Sequence, residues 1–83
     1  MSVHLRYFAA AKAALGRADD ERPAGTTIGD LLTTVAAESP DPATAERILA
    51  RCTFIHNRTS TDDRAIVLAD GDTLDLLPPF AGG

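Results

Sequence analysis

The sequence has 83 residues, with 8 Lys plus Arg against 12 Asp plus Glu and a formal net charge of −4 at pH 7. A chain of this length forms one small domain, here residues 1–83, which buries only about 60% of its unfolded surface and is therefore not expected to contain a deep active site. The acidic balance and the lack of a basic run argue against nucleic acid and anionic membranes as partners.

The sequence also argues against a membrane-spanning protein and against a metal-binding protein. The apolar runs are far shorter than the roughly 20 residues that cross a bilayer, and the N-terminus lacks the charged-then-apolar layout of a secretory signal. We therefore expect a cytoplasmic protein. Cys52 is the only cysteine, and its spacing to the two histidines makes no metal site, so we expect a small core residue and no metal.

Residues 3–8 alternate between apolar and polar side chains, which is typical of a strand with one face on the core. The pattern puts Val3, Leu5 and Tyr7 inside. Phe8 is then a large aromatic ring on the polar face, where either the protein's own loops or a partner would cover it.

The next segment is predicted to be a short helix. Residues 9–15 are mostly alanine, the best helix former, and Gly16 suits the left-handed residue that ends a helix. The charged residues 17–23 have little to bury, so they form either an exposed edge strand or a loop, and Pro23 is compatible with an edge.

The middle of the chain contains the clearest element, an amphipathic helix. Thr27 and Asp30 have the spacing of a capping box, in which each side chain satisfies a free amide of the first turn. The helix runs to about Glu38, where Ser39 and Pro40 stop it. Apolar residues recur behind the cap along one stripe, namely Ile28, Leu31, Leu32, Val35 and Ala36.

A second, shorter helix is predicted directly afterwards. Asp41 and Pro42 offer an N-cap and a first helical residue, and the helix continues through Ala50. Its apolar contacts are Ala45, Ile48 and Leu49.

Strands are predicted in the following part of the chain. Residues 53–56 are β-branched and aromatic, which favours a strand, and the polar run to Asp63 is predicted to be a turn or loop. Residues 66–68 are a candidate for a short apolar strand. His56 has no second metal ligand nearby, so we expect a structural or merely exposed role for it.

The last strand is predicted over residues 73–77, after a tight turn at residues 69–72. Its alternation puts Leu74 and Leu76 on the core face. Leu77 is then a large apolar side chain on the outer face, immediately before the end of the strand.

One amphipathic helix packed across a small mixed sheet is the simplest arrangement for this order of elements, and it is an α+β fold. The right-handed crossover rule allows the first and last strands to lie side by side at the sheet centre. Phe8 and Leu77 would then share the exposed face where the last strand ends, as a docking patch for a partner.

Residues 78–83 form the predicted tail. Pro78 and Pro79 each remove a backbone donor and fix φ, so the last strand stops near Leu77 and an extended tail projects from it. About 15 Å of extended chain would carry the carboxylate of Gly83 into another protein's active site. The alternative is a frayed terminus, such as most chains have.

The terminal carboxylate is the one candidate reactive group. No phosphate-binding loop, dinucleotide fingerprint, nucleophile arrangement or zinc-protease motif is present. A carboxylate reacts with nucleophiles only after one oxygen becomes part of a leaving group, for example by adenylation, after which sulfide or a thiol displaces AMP. Glycine suits such a terminus because it has no Cβ, so nucleotide and attacking group approach closely.

Six motifs along the chain carry a family resemblance. They are Tyr7-Phe8-Ala9, Gly16, Thr27-Ile28-Gly29-Asp30-Leu31-Leu32, Asn57, Leu68-Ala69-Asp70-Gly71-Asp72 and Pro78-Pro79-Phe80-Ala81-Gly82-Gly83. With them the chain resembles, over nearly its whole length, the ubiquitin-like sulfur carriers of the MoaD/ThiS type, and most closely the small subunits of molybdopterin synthase. The tail together with the Asp-Gly-Asp turn is the most specific part.

The resemblance implies a β-grasp fold and a subunit that donates sulfur without a catalytic site or bound cofactor of its own. Gly83 would be adenylated by an E1-like adenylating enzyme that uses ATP, then converted to a thiocarboxylate with sulfur from a donor protein. Inside the large subunit of molybdopterin synthase it would supply sulfur to cyclic pyranopterin monophosphate for the dithiolene of molybdopterin. Phe8 and Leu77 would pack on that subunit. The residues that would carry the carboxylate of Gly83 into its active site are those of the tail, Gly82, Ala81, Phe80, Pro79 and Pro78.

The tail departs from the family pattern at Phe80 and Ala81, where a smaller aliphatic residue and a hydroxyl residue are common, and His56 stands at a usually apolar position. Two alternatives stay open. One is a sulfur carrier for thiamine or cysteine biosynthesis, although the helix from Pro42 to Ala50 argues against the shorter thiamine carriers. The other is a β-grasp interaction module whose terminus does no chemistry.

Overall fold

A computed structural model describes residues 1–79 of the chain. Eight elements follow one another along this part, in an order that agrees with most of the expected one. They are β1 (Ser2–Tyr7), α1 (Ala9–Leu15), β2 (Asp19–Pro23), α2 (Ile28–Ala37), α3 (Pro42–Leu49), β3 (Thr53–His56), β4 (Thr59–Thr61) and β5 (Thr73–Leu77).

The strands form one mixed sheet in the order β2-β1-β5-β3-β4. The first and last strands of the chain, β1 and β5, lie parallel at its centre, whereas the remaining neighbours are antiparallel. This central placement of β1 and β5 was predicted and is confirmed. The mixed sheet with its helices is the β-grasp fold that the family resemblance implied.

The main helix α2 starts and packs as its sequence predicts. The hydroxyl of Thr27 accepts a hydrogen bond from the amide of Asp30 at 3.1 Å, which is the threonine half of the capping box. The whole apolar stripe of α2 is buried and belongs to one hydrophobic core with the inward side chains of β1, β3 and β5. Those inward residues are Val3, Leu5, Tyr7, Phe54, Leu74 and Leu76.

The shorter helices also agree with prediction. Gly16 ends α1 with φ 75, the left-handed conformation expected there. The carboxylate of Asp41 accepts from the amide of Thr44 at 3.2 Å, and Pro42 is the first residue of α3. α3 buries Ala45 and Leu49, and it packs against α1 and α2.

The charged segment before α2 forms the edge strand β2 and not a loop, which were the two alternatives predicted for it. Arg22 lies between the carboxylates of Asp20 and Glu38, at 2.8 Å from each. The phenol of Tyr7 also donates to Asp20 at 3.4 Å. Burial, together with the charge of Asp20, raises the pKa of Tyr7 above its ordinary value. Charged side chains at a sheet edge disfavour pairing with another chain.

Two predictions for the last third of the chain were wrong. The polar run after His56 contains the strand β4, because Asn57 and Arg58 take positive φ values of 48 and 72 and reverse the chain in two residues. Residues 66–68 are not a strand of the sheet. They bond instead to the segment before α2, with an isolated bridge between Val67 and Thr27.

Candidate functional site

The candidate docking residues Phe8 and Leu77 lie on the outer face of the sheet. In the parallel pair, Arg6 is opposite Asp75 and Tyr7 is opposite Leu76, so the next residues, Phe8 and Leu77, follow on the same row. Phe8 is 36% exposed, and Leu77 is half-buried. The register thus puts the two side chains where strand alternation placed them, while their binding of a partner stays a prediction.

An ion pair lies beside this row and was not foreseen from the sequence. The guanidinium of Arg6 donates two hydrogen bonds to the carboxylate of Asp75, at 2.8 and 2.7 Å. That hydrogen-bonded pairing raises the pKa of Arg6. The guanidinium carbon also stands 5.5 Å from the ring centroid of Phe8, within cation–π range. The sequence did contain a signal for this ion pair, because Arg6 and Asp75 are on the same predicted face of two strands that were predicted to be neighbours.

The turn from β1 into α1 sets the direction of Phe8. Phe8 is extended, with φ −120 and ψ 150, and its amide donates to the carbonyl of Leu76 at 3.2 Å. Ala9 then takes φ 50, a left-handed value that is unfavourable for a residue with a Cβ. The carbonyl of Phe8 accepts from the amide of Ala11 at 3.0 Å. Phe8 is therefore held at the sheet end by its backbone on both sides.

The predicted end of the last strand near Leu77 is confirmed, while the projecting tail stays a prediction. β5 ends at Leu77, Pro78 is buried and Pro79 is exposed. The predicted access residues Phe80, Ala81 and Gly82 and the predicted reactive group of Gly83 lie outside the described residues. A groove of about 320 Å³ opens where the described chain ends. Its lining residues are Ala10, Arg47, Ile48, Arg51, Pro78 and Pro79.

A polar cluster stands at the opposite end of β5. The carboxylate of Asp72 is 2.8 Å from His56 Nε2 and accepts from Asn57 Nδ2 and the amide of Ala69, both at 2.9 Å. The amide of Thr73 in turn donates to Asn57 Oδ1 at 2.9 Å. Hydrogen bonds from Asn57, His56 and Ala69 lower the pKa of Asp72 to about 2. These bonds fasten the turn before β5 to the β3–β4 hairpin, consistent with a structural role for His56.

Other reactive groups in the described part are not arranged for chemistry. Cys52 is buried, and burial raises the pKa of its thiol to about 11, so little thiolate forms at neutral pH. Within residues 1–79, no three His, Cys, Asp or Glu side chains stand together as a metal site. The helices of that same part are all too short or too polar to cross a membrane.

Comparison with known proteins gives a family and several similar structures. The model of the ThiS family matches residues 5–83. None of the curated proteins matches the sequence significantly. The HVO 2177 protein of Haloferax volcanii is 28% identical, with a TM-score of 0.75, over 100% of this chain and 87% of that one.

Two further structures extend the comparison. A complex of subunits 1 and 2 of molybdopterin-converting factor from Helicobacter pylori includes a chain that is 25% identical, with a TM-score of 0.68 and full coverage of both chains. The small archaeal modifier protein 1 of Haloferax volcanii is 23% identical, with a TM-score of 0.76 and full coverage of both, and this likeness supports the fold alone.

Proposed function

The chain belongs to the ThiS family of ubiquitin-like sulfur carriers, and on that premise we propose that it is the small subunit of a molybdopterin synthase. The observation that carries the sulfur-carrier part of the proposal is the match of the family over residues 5–83, which includes the diglycine. The similarity, over its full length, to a chain from a complex of molybdopterin-converting factor subunits supports the choice of pathway and of a large-subunit partner.

The proposed chemistry takes place on the carboxylate of Gly83. One carboxylate oxygen attacks the α-phosphorus of ATP in an E1-like adenylating enzyme, and pyrophosphate leaves. The terminal sulfur of a donor-protein persulfide then attacks the acyl adenylate, AMP leaves and an acyl disulfide forms. A thiol attacks the donor's own sulfur atom, which releases the thiocarboxylate and leaves a disulfide between that thiol and the donor. Glycine at positions 82 and 83 lets the reacting groups approach without a side chain in the way. Because activation consumes ATP, we place the carrier in the cytoplasm.

The thiocarboxylate then enters the large subunit, which holds cyclic pyranopterin monophosphate. Each thiocarboxylate supplies one sulfur atom as the nucleophile, so two charged carriers in succession provide the two sulfur atoms of the dithiolene. Water then cleaves each acyl intermediate and returns the carboxylate of Gly83. In this proposal Phe8 and Leu77 pack against the large subunit while residues 78–82 span its channel. Arg6 keeps the Phe8 ring in place through the contact with its guanidinium. The described part of the chain supplies binding and reach, and the catalytic groups belong to the partner.

A second candidate is a carrier of the same chemistry for thiamine or cysteine biosynthesis. The family model that matches is that of ThiS, and the similar structures include a small archaeal modifier protein as well as a molybdopterin-converting factor subunit. Carriers for different pathways share the fold and the diglycine. The preferred partner, measured by co-purification, separates these candidates.

Mass spectrometry of the intact chain tests the carrier chemistry itself. The chain is incubated with ATP, an adenylating enzyme of the family and a sulfur source. We expect one oxygen to be replaced by sulfur, with fragmentation placing the change at Gly83, and we expect no change in a variant that lacks Gly83. An unmodified wild-type chain, with full pathway activity after Gly83 is deleted, would instead indicate an interaction module.

A further inference from the structure

We propose that the groove at the tail root, lined by Ala10, Arg47, Ile48, Arg51, Pro78 and Pro79, binds an acidic segment of the protein that receives the tail. We call it the α3 groove. The inference rests on the proposed function, because it assumes that a partner takes up the tail. It adds a second docking surface, separate from the outer-face row of Phe8 and Leu77, and it states the charge of the segment that fits there.

The shape and chemistry of the α3 groove fit a short peptide segment. Its volume is about 320 Å³, room for a few side chains of a partner. Ile48 and the two prolines supply apolar surface. Arg47 and Arg51 are four residues apart, a spacing that places two side chains on the same side of α3 and its last turn. Planar guanidinium groups bind carboxylates through paired hydrogen bonds.

The charges of the described residues make these two arginines available. Arg6, Arg17 and Arg22 are paired with carboxylates. Within residues 1–79, the ion pairs include neither Arg47 nor Arg51. Arg47 donates a hydrogen bond to the neutral hydroxyl of Thr44 at 3.2 Å, and both arginines are exposed. The charge of Arg47 also acts on the Asp41 carboxylate and helps to lower its pKa. Among residues 1–79, Arg51 is therefore the arginine of this wall that is less engaged by carboxylates.

The position of the α3 groove identifies the occupant. Pro78 and Pro79 line it and connect directly to residue 80, so a protein that encloses the tail must approach this wall. An acidic segment at the rim of its channel would meet Arg47 and Arg51 as the tail enters. Complementary charges at such a rim increase the association rate and fix the orientation of docking. Two arginines on an acidic chain are too few for the many phosphate contacts that nucleic-acid binding uses.

The test is the affinity of the full chain for the cognate molybdopterin synthase large subunit, measured by calorimetry at low and physiological salt. Arg51→Glu is compared with Arg58→Glu, which makes the same change in charge on the β3–β4 turn. The β3–β4 turn follows His56, which pairs with Leu74 near the start of β5. Arg58 is therefore at the opposite end of β5 from the tail. Thermal unfolding checks that both variants fold.

We expect Arg51→Glu to weaken binding by about 10- to 100-fold at low salt, with a smaller effect at higher salt, and Arg58→Glu to stay within about twofold. Arg51→Lys, which keeps the charge but loses the paired hydrogen bonds, should weaken binding less than Arg51→Glu does. Equal losses in both Glu variants, or no loss in either, would overturn the inference and leave the proposed function intact. A dimer of the free chain that dissociates in Arg51→Glu would assign the groove to a second copy and overturn it too. Failure of the wild-type chain to bind would contradict the proposed function itself.

Discussion

Asp72 shows how a single residue fastens the strand that leads to the tail. Its carboxylate is engaged by His56, Asn57 and the amide of Ala69. The sequence marked residues 69–72 as a tight turn but could not show these bonds. His56 is 16 residues away along the chain, and the contact exists because β3 pairs with β5, which puts His56 opposite Leu74, two residues after Asp72.

Replacement of Asp72 by Asn is expected to destabilise the fold at neutral pH by about 1–2 kcal/mol, because hydrogen bonds to a charged acceptor are lost or weakened. The pKa of Asp72 falls from 3.8 to about 2 on folding. Its contribution is therefore fully present above about pH 4 and is lost as the pH falls through about 2. Urea unfolding is measured at several pH values in that range. As the pH falls, the free energy of unfolding should decrease less in Asp72→Asn than in the wild type.

Asp62→Asn is the matched control for this experiment, since Asp62 is an exposed carboxylate on the loop after β4. It should leave the unfolding free energy at pH 7 within about 0.5 kcal/mol of the wild type. An Asp72→Asn chain with an unchanged acid profile would show that the cluster does not stabilise the fold.

Phe8→Ala is expected to weaken binding to the large subunit by about 30-fold or more, the effect of a hot-spot aromatic side chain. Val67→Ala is the control, because Val67 is also an exposed apolar side chain, at 62% exposure, but lies on the connection between β4 and β5. The affinity of each variant for the large subunit is measured by surface plasmon resonance. Equal affinities for the wild type and Phe8→Ala would exclude Phe8 from the interface.

At the scale of elements, the helices could be predicted because their signals are local. The stripe behind Thr27 and the cap at Asp41 each lie within one segment and were confirmed. Of the capping box, the threonine half was confirmed, whereas the described hydrogen bonds do not include one to the carboxylate of Asp30. The errors were in short strands, whose identity depends on partners elsewhere. β4 is three hydroxyl-bearing residues without apolar alternation. Residues 66–68 have strand-like composition, but their hydrogen bonds go to the chain before α2.

Leu31→Ala is expected to reduce the free energy of unfolding by about 2–5 kcal/mol, because Leu31 is 4% exposed and its truncation leaves a cavity between α2 and the core. Chemical denaturation measures the change. Thr33→Ala, on the exposed side of the same helix, should stay within about 0.5 kcal/mol of the wild type. A small loss for Leu31→Ala would mean that the core collapses to fill the space.

At the scale of the whole molecule, the central strand pair decides which residues lie together where the described chain ends. The parallel pairing of β1 and β5 puts Phe8, Leu77 and the root of the tail at one end of the sheet. The hydrophobic core lies between Val3 and Leu76, so the predicted reactive group of Gly83 is outside the segment that forms the core. Strand alternation and the order of elements were enough to predict this arrangement. The α3 groove was not predictable, because it needs the packing of α3 against α1 and the position of Pro78 and Pro79 beside them.

Gly83→Ala, or one residue added after Gly83, is expected to abolish sulfur transfer while the unfolding free energy stays within about 0.5 kcal/mol of the wild type. The physical reason is that a Cβ or an added residue obstructs or displaces the carboxylate in a partner's channel, whereas the core is untouched. Denaturation and a sulfur-transfer assay are run on the same preparations. Transfer at the wild-type rate by either variant would contradict the assignment of Gly83.

The most direct test of the central claim is a single-turnover reaction of the thiocarboxylated chain with the large subunit and cyclic pyranopterin monophosphate, without any other sulfur source. The products are followed by fluorescence of the oxidised pterin and by mass spectrometry of the chain. The proposed function predicts that molybdopterin forms as the thiocarboxylate returns to a carboxylate. A chain that keeps its sulfur while bound to the large subunit and substrate, with no molybdopterin formed, would contradict it.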